Sequence, residues 1–242
     1  PPGFPAGPGL CAAGRRQPDF GLAPPVNSPA PRPRLQLSLV AATAALIAVT
    51  LVKPLFPREQ WLQHAATAPA LVLAAIAAQR RWLSDGALIC ALAFLALHAV
   101  AARWIYSYVP YEDWFQAALG SGPDEWFGWR RNHCDRFVHF AFGALAIPLL
   151  SEAAVHAGLA RRAAPWVAVA GATTCGALYE IFEWLLAITA APETADRYNG
   201  QQGDIWDAQK DLAWALAGSI VVALWIAWRR PRSAADRKPQ ES

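Results

Sequence analysis

The chain has 242 residues, of which 55% are hydrophobic and only 16% charged, and its mean hydropathy is positive at +0.20. That composition excludes a typical soluble domain of this length, which carries more charge and shorter apolar runs. The formal net charge of +3 comes from arginines in short clusters and not from a basic face, so nucleic acid is excluded as a partner and membrane lipid is expected.

In chain order, residues 1–34 are rich in proline and glycine and have no apolar core, which predicts a disordered tail. The tail also lacks the basic-then-apolar order of a cleavable signal peptide. Apolar runs near the ~20 residues needed to cross a bilayer follow at 35–52, 61–78, 86–106, 136–156, 165–190 and 211–228. They predict an all-α, polytopic transmembrane helical bundle of about six spans over 35–230, closed by a polar tail over 231–242. The second run is the weakest, because Thr67 and Pro69 interrupt it, and a kinked or re-entrant helix is the alternative there. Arginines gather at alternate boundaries, at Arg32 and Arg34, Arg80 and Arg81, Arg161 and Arg162, and Arg229, Arg230 and Arg232. The positive-inside rule then predicts a bacterial inner membrane protein with both termini cytoplasmic. Trp61 and Trp104 fall at outer ends, and Trp82, Trp166, Trp225 and Trp228 at inner ends, as in an aromatic belt. Of the four cysteines, Cys11, Cys90, Cys134 and Cys175, none forms a C-x-x-C pair, so neither a disulfide framework nor a zinc–thiolate site is expected.

Ionisable groups inside spans are costly, about 2.5–3.5 kcal/mol each at mid-helix, which makes each a candidate functional residue. Asp135 and His139 stand four apart at the start of the fourth span, with Gly143 continuing that face. Glu180 and Glu183 stand three apart in the fifth, and Asp204, Asp207 and Asp211 align at the start of the sixth if its helix begins early. His98 lies in the third. At about 1.5 Å per residue all fall in the outer half, which predicts one shared polar pocket opening outward.

Three motifs carry a resemblance: N-x-x-D-R-x-x-H-F-x-x-G from Asn132 to Gly143, Y-E-I-x-E-W from Tyr179 to Trp184, and G-x-Q-G-D-x-W-D-A-Q-K-D from Gly200 to Asp211. With Leu97-His98 and the Y-x-x-V-P of Tyr106 to Pro110, they resemble the YjdF-like family of bacterial inner-membrane proteins over 35–230. The resemblance implies a polytopic inner-membrane fold and no established activity. The chain departs from the family pattern at Cys134, where an aromatic is common, at Arg103, where histidine is common, and at Gln201, where threonine is common. A more distant similarity to the VanZ-like family rests on D-R-x-x-H-F followed by Glu-bearing and Asp-bearing helices.

The functional expectation is an outward-facing site that binds a divalent cation or performs acid–base chemistry on a lipid-linked or periplasmic substrate. His139 and Glu183 are expected as ligands or as an acid–base pair, oriented by Glu180 and Asp135. His139, Glu183, Asp207 and Asp211 form the expected metal set, suited to zinc, manganese or magnesium. Plainer readings compete at each position. Asp135 caps the helix or pairs with Arg130, Arg131 or Arg136, Glu180 and Glu183 pair with His98 or Arg103, and Asp204 is a cap. Trp184 and Trp206 read as interface anchors, and His64, His133 and His156 sit at span ends without a role. A proton-coupled transporter and a non-catalytic membrane assembly component are the alternatives for the whole protein.

Overall fold

The computed structural model describes residues 30–190 and 198–229, and among these there are helices and turns but no strand. The predicted polar tail over 231–242 and most of the predicted N-terminal tail lie outside the described residues. The helices are α1 (Pro33–Thr50), α2 (Pro57–Arg80), α3 (Asp85–Ala102), α4 (Tyr111–Leu119), α5 (Pro123–Phe127), α6 (Cys134–His156), α7 (Ala164–Thr189) and α8 (Asp207–Trp228).

Five of these, α1, α2, α3, α6 and α8, are long and apolar enough to cross a membrane. The remaining expected span, α7, is long enough at 26 residues, but Glu180, Glu183, Thr173 and Thr174 dilute its hydropathy. α2 is continuous through Pro69, so the interrupted second run forms one 24-residue helix. α3 ends at Ala102 and not at Tyr106, because Ile105 and Tyr106 turn back with positive φ of 40° and 58°. A positive φ at a β-branched residue is strained, and this turn is tied down by amides of Trp104, Ile105 and Tyr106 on carbonyls of Ala101 and Ala102.

Burial is inverted relative to a water-soluble protein. Large side chains such as Leu73, Leu178, Ile188, Val221 and Leu224 are exposed, whereas the interior holds alanines together with Gln36, Gln60, Gln63, His64, Thr67, Glu180, Asp211 and Ser219. Hydrocarbon exerts no hydrophobic drive between helices, so close packing of small residues and hydrogen bonding fill the interior instead.

Two packed groups build the bundle, α1–α2–α3 and α6–α7–α8, joined by α3 against α6. The most extensive contact is between α6 and α8. A Cβ on Gly143 would collide with the Ala215 carbonyl, and a Cβ on Gly218 with the Phe140 carbonyl, so the two glycines let the helix backbones touch. Helix ends are satisfied by distant side chains. Arg103 Nη1 donates to the carbonyls of Thr50 (2.8 Å) and Val52 (2.7 Å), closing the end of α1. At the opposite end of the bundle, Glu152 of α6 accepts the Ser84 amide at 2.9 Å and the Ser84 hydroxyl, anchoring the start of α3.

Candidate functional site

The start of α6 is fixed by Asn132. Its Oδ1 accepts the Cys134 amide (3.0 Å), and its Nδ2 donates to the Val109 carbonyl (2.8 Å). Gln202 exchanges two bonds with the Asn132 backbone, at 2.9 and 3.1 Å, which docks the turn before α8 onto the turn before α6. The contact through Gly143 and Gly218 then sets the first turns of α6 and α8 side by side.

Arginines meet aspartates where those turns touch. Arg136 reaches Asp204 (3.1 Å), Asp207 (2.5 Å) and Asp211 (2.5 Å), and also donates to the Asp207 carbonyl (3.1 Å). Arg131 reaches Asp204 (3.3 Å) and Asp207 (2.9 Å), and Lys210 reaches Asp204 (2.7 Å). Three cations thus face three acids. Asp204 also accepts the Trp206 amide at 3.1 Å, a bond within the turn before α8; the helix starts only at Asp207, so Asp204 is not its cap. The Lys210 ammonium and that amide hold the Asp204 carboxyl down to about 2.

One turn deeper a second group forms. Ligand atoms of Asp135, His139 and Asp211 all lie within 4.8 Å of one another. His139 Nε2 is 3.6 Å from Asp135 Oδ1 and 3.9 Å from Glu180 Oε1. Glu180 is 8% exposed, and its Oε1 has no hydrogen-bond partner. A tetrahedral ion with bonds of 2.0–2.1 Å holds its ligand atoms about 3.3 Å apart, so small side-chain shifts would suffice to close this group on a metal.

Beside the group lies a cavity of ≈ 270 Å³ between α2, α3, α6 and α7. Asp135 and His139 form part of its wall, and Glu183, Tyr179, Tyr198 and His98 complete its polar end. His98 is locked in one tautomer. Nε2 lies 3.2 Å from the Gln63 carbonyl, which can only accept, so Nδ1 is left to accept from the Tyr106 hydroxyl at 2.5 Å. The backward turn at Ile105 and Tyr106 is what brings that hydroxyl to His98. Tyr179 donates to Gln63 Oε1 (3.2 Å) and lies 3.3 Å from the Tyr198 hydroxyl.

The arrangement departs from expectation in several places. Asp207 is held by two arginines and Glu183 stands on the cavity wall, so the grouped ligand atoms belong to Asp135, His139 and Asp211 and not to His139, Glu183, Asp207 and Asp211. Arg131 and Arg136 turn to the acids of α8 and not to Asp135. Arg103 is committed to the end of α1 and His98 to Gln63 and Tyr106, and not to Glu180 or Glu183. His64 is buried, its ring edge-on to His98 at 5.7 Å, and is not a water-reached span end. The sequence reading missed Gln63, Thr67, Tyr106 and Tyr198. The spacing of Gln60, Gln63, His64 and Thr67 on one face of α2 is the signal that was present for the first two.

A family model described as "Predicted membrane protein (DUF2238)" matches residues 35–232. The inner membrane protein YjdF of Escherichia coli (strain K12) is 31% identical over 138 residues, which cover 54% of this chain and 61% of that relative. No solved structure matches the chain.

Proposed function

Because this chain belongs to the DUF2238 family of predicted membrane proteins, a description that carries no reaction, we propose from the site itself that it is a metal-dependent membrane enzyme. Asp135, His139 and Asp211 would hold one divalent cation, with Glu180 beside the position left open for water, and Glu183 is the general base and acid across the cavity. A bound divalent ion would supply Lewis-acid activation of water toward a lipid-linked or periplasmic ester or phosphoester, and Glu183 would take the proton of that water and return it to the departing oxygen.

The observation that carries this reading is the buried Oε1 of Glu180, without a hydrogen-bond partner and 3.9 Å from His139 Nε2, beside the Asp135–His139–Asp211 group. A carboxylate taken out of water needs a proton, a cation or a full set of donors, and a divalent ion among these four side chains supplies the cation. The site faces the periplasm in this reading, with six spans, α7 included, and both termini in the cytoplasm of a bacterium whose inner membrane holds the chain. The apolar cluster of Ile147, Ala168, Ala172 and Ala223 fills the inner half of α6, α7 and α8, which favours a one-sided site over a transport path.

A structural reading is favoured by one separate observation, the arginine–aspartate junction of α6 and α8, which would hold the bundle together without any chemistry. Metal analysis of detergent-purified protein discriminates between them. One tightly held divalent ion per chain is expected, lost in His139→Ala and retained in Glu183→Gln. If wild-type protein equilibrated with zinc, manganese or magnesium keeps no ion and gains no thermal stability from any of them, the enzyme reading fails and the structural one stands.

A further inference from the structure

All four helices around the cavity change character in the same direction. Going inward, α2 presents Gln63 and Thr67 and then Ala70, and α6 presents Asp135 and His139 and then Phe142. α3 presents His98 and then Phe94, while α7 presents Glu183 and Tyr179 and then Gly176. At a rise of about 1.5 Å per residue, Ala70, Phe94, Phe142 and Gly176 lie about 12–20 Å below the outer helix ends, within the hydrocarbon layer. A water-soluble substrate has no use for an apolar chamber at that depth.

The chamber also opens sideways. Ala66 of α2 and Cys175 of α7 both line it and are both exposed. α2 packs on α1 and α3, and α7 on α6 and α8, but α2 and α7 do not pack closely on each other. The Tyr179–Gln63 bond bridges them at the polar level, which leaves the gap below it facing lipid. At ≈ 270 Å³ the cavity is just under the span of about 300–1,000 Å³ usual for small-molecule sites, room for one chain and not for two.

We propose that this cavity is a lipid-substrate site that admits a single-chain amphiphile from the membrane between α2 and α7, its chain against Phe94 and Phe142 and its head at Asp135 and His139. The head chemistry rests on the metal reading above: an ion held by Asp135, His139 and Asp211 selects an anionic, oxygen-rich head such as a phosphate monoester. The chain site rests on the cavity alone.

An alkyl phosphate with a mid-chain diazirine, photolysed with the full chain in phosphatidylcholine vesicles, tests both parts. Label, mapped to single residues, is expected on Ala70, Phe94 and Phe142. Ala66→Trp, which plugs the mouth at an exposed position, is expected to cut that labelling at least tenfold without changing metal content or the unfolding temperature. Ala70→Phe, which fills the chamber, is expected to act in the same way. Label concentrated on outward residues such as Leu73 and Ile76 and unchanged by both variants overturns the proposal. Chelated protein is expected to lose the cavity label. If cavity label persists after chelation, or in protein that binds no ion, the chain site stands and the metal-held head is overturned.

Discussion

Replacing Arg136 with methionine should lower the stability of the metal-free protein and at the same time strengthen its hold on a divalent ion. Arg136 is 5% exposed and stands between Asp207 and Asp211, themselves 5% and 2% exposed, at 2.5 Å from each. Methionine keeps much of the volume and removes the charge, which leaves buried carboxylates short of a cation. Breaking a buried ion pair from one side costs about 3–5 kcal/mol. Arg131 remains 2.9 Å from Asp207 and spares part of that cost, so the lower end, about 3 kcal/mol, is expected. Asp211 is then released toward Asp135 and His139. An ion held there at a hundred times its dissociation constant would return about 2.7 kcal/mol, nearly the whole loss. The assay is denaturant unfolding in detergent, with chelator and with each metal in turn, on Arg136→Met and on Arg136→Met with Asp211→Asn. The double variant should be more stable than the single one in chelator and should gain nothing from metal. A single variant within about 1 kcal/mol of wild type in chelator refutes the electrostatic account of the junction. A single variant that metal does not rescue refutes the assignment of Asp211 to the ion.

Gly143→Leu and Gly218→Val place carbon against the backbone of the facing helix, and each should cost at least the ~1–3 kcal/mol of an overpacked core and weaken ion binding, since Asp135, His139 and Asp211 come from those two helices. Gly171→Ala, whose Cβ meets Leu150 at an ordinary 3.6 Å, should be neutral or slightly stabilising in the same unfolding assay. Asp204 is depressed from 3.8 to about 2 in the folded protein, so its contribution to stability is complete above about pH 4 and lost as the pH falls through 2. Lys210→Met should raise the Asp204 midpoint, and an Asp204 that titrates near 4 in the native wild type contradicts the Lys210 contact.

The long helices were legible in the sequence because a bilayer imposes a length: each needs an apolar run of about 20 residues, and charged loops mark where it stops. The same economy exposed Asp135, His139, Glu180, Glu183 and Asp211, since an ionisable group in such a run stands out by its cost. Uncharged polar residues carry a weaker signal, and Gln63 and Thr67 of α2 passed as part of a poor span although both are buried and line the cavity. The turn at Ile105 was illegible for another reason, because the bonds that hold its positive φ come from backbone atoms.

Sequence alone therefore determined the long helices, though not the short α4 and α5 between α3 and α6, and which acids and histidines must find partners inside them. Only the tertiary structure decided the pairing. Asp207 goes to the arginines, Asp211 stands between Arg136 and His139, and Glu180 faces His139 while Glu183 faces the cavity. In lipid the outward face of a helix is apolar and much of its buried face is alanine and glycine, so hydrophobic periodicity alone does not say which way a helix is turned. That rotation was set by two glycines on α6 and α8, whose missing side chains let one backbone lie against the other.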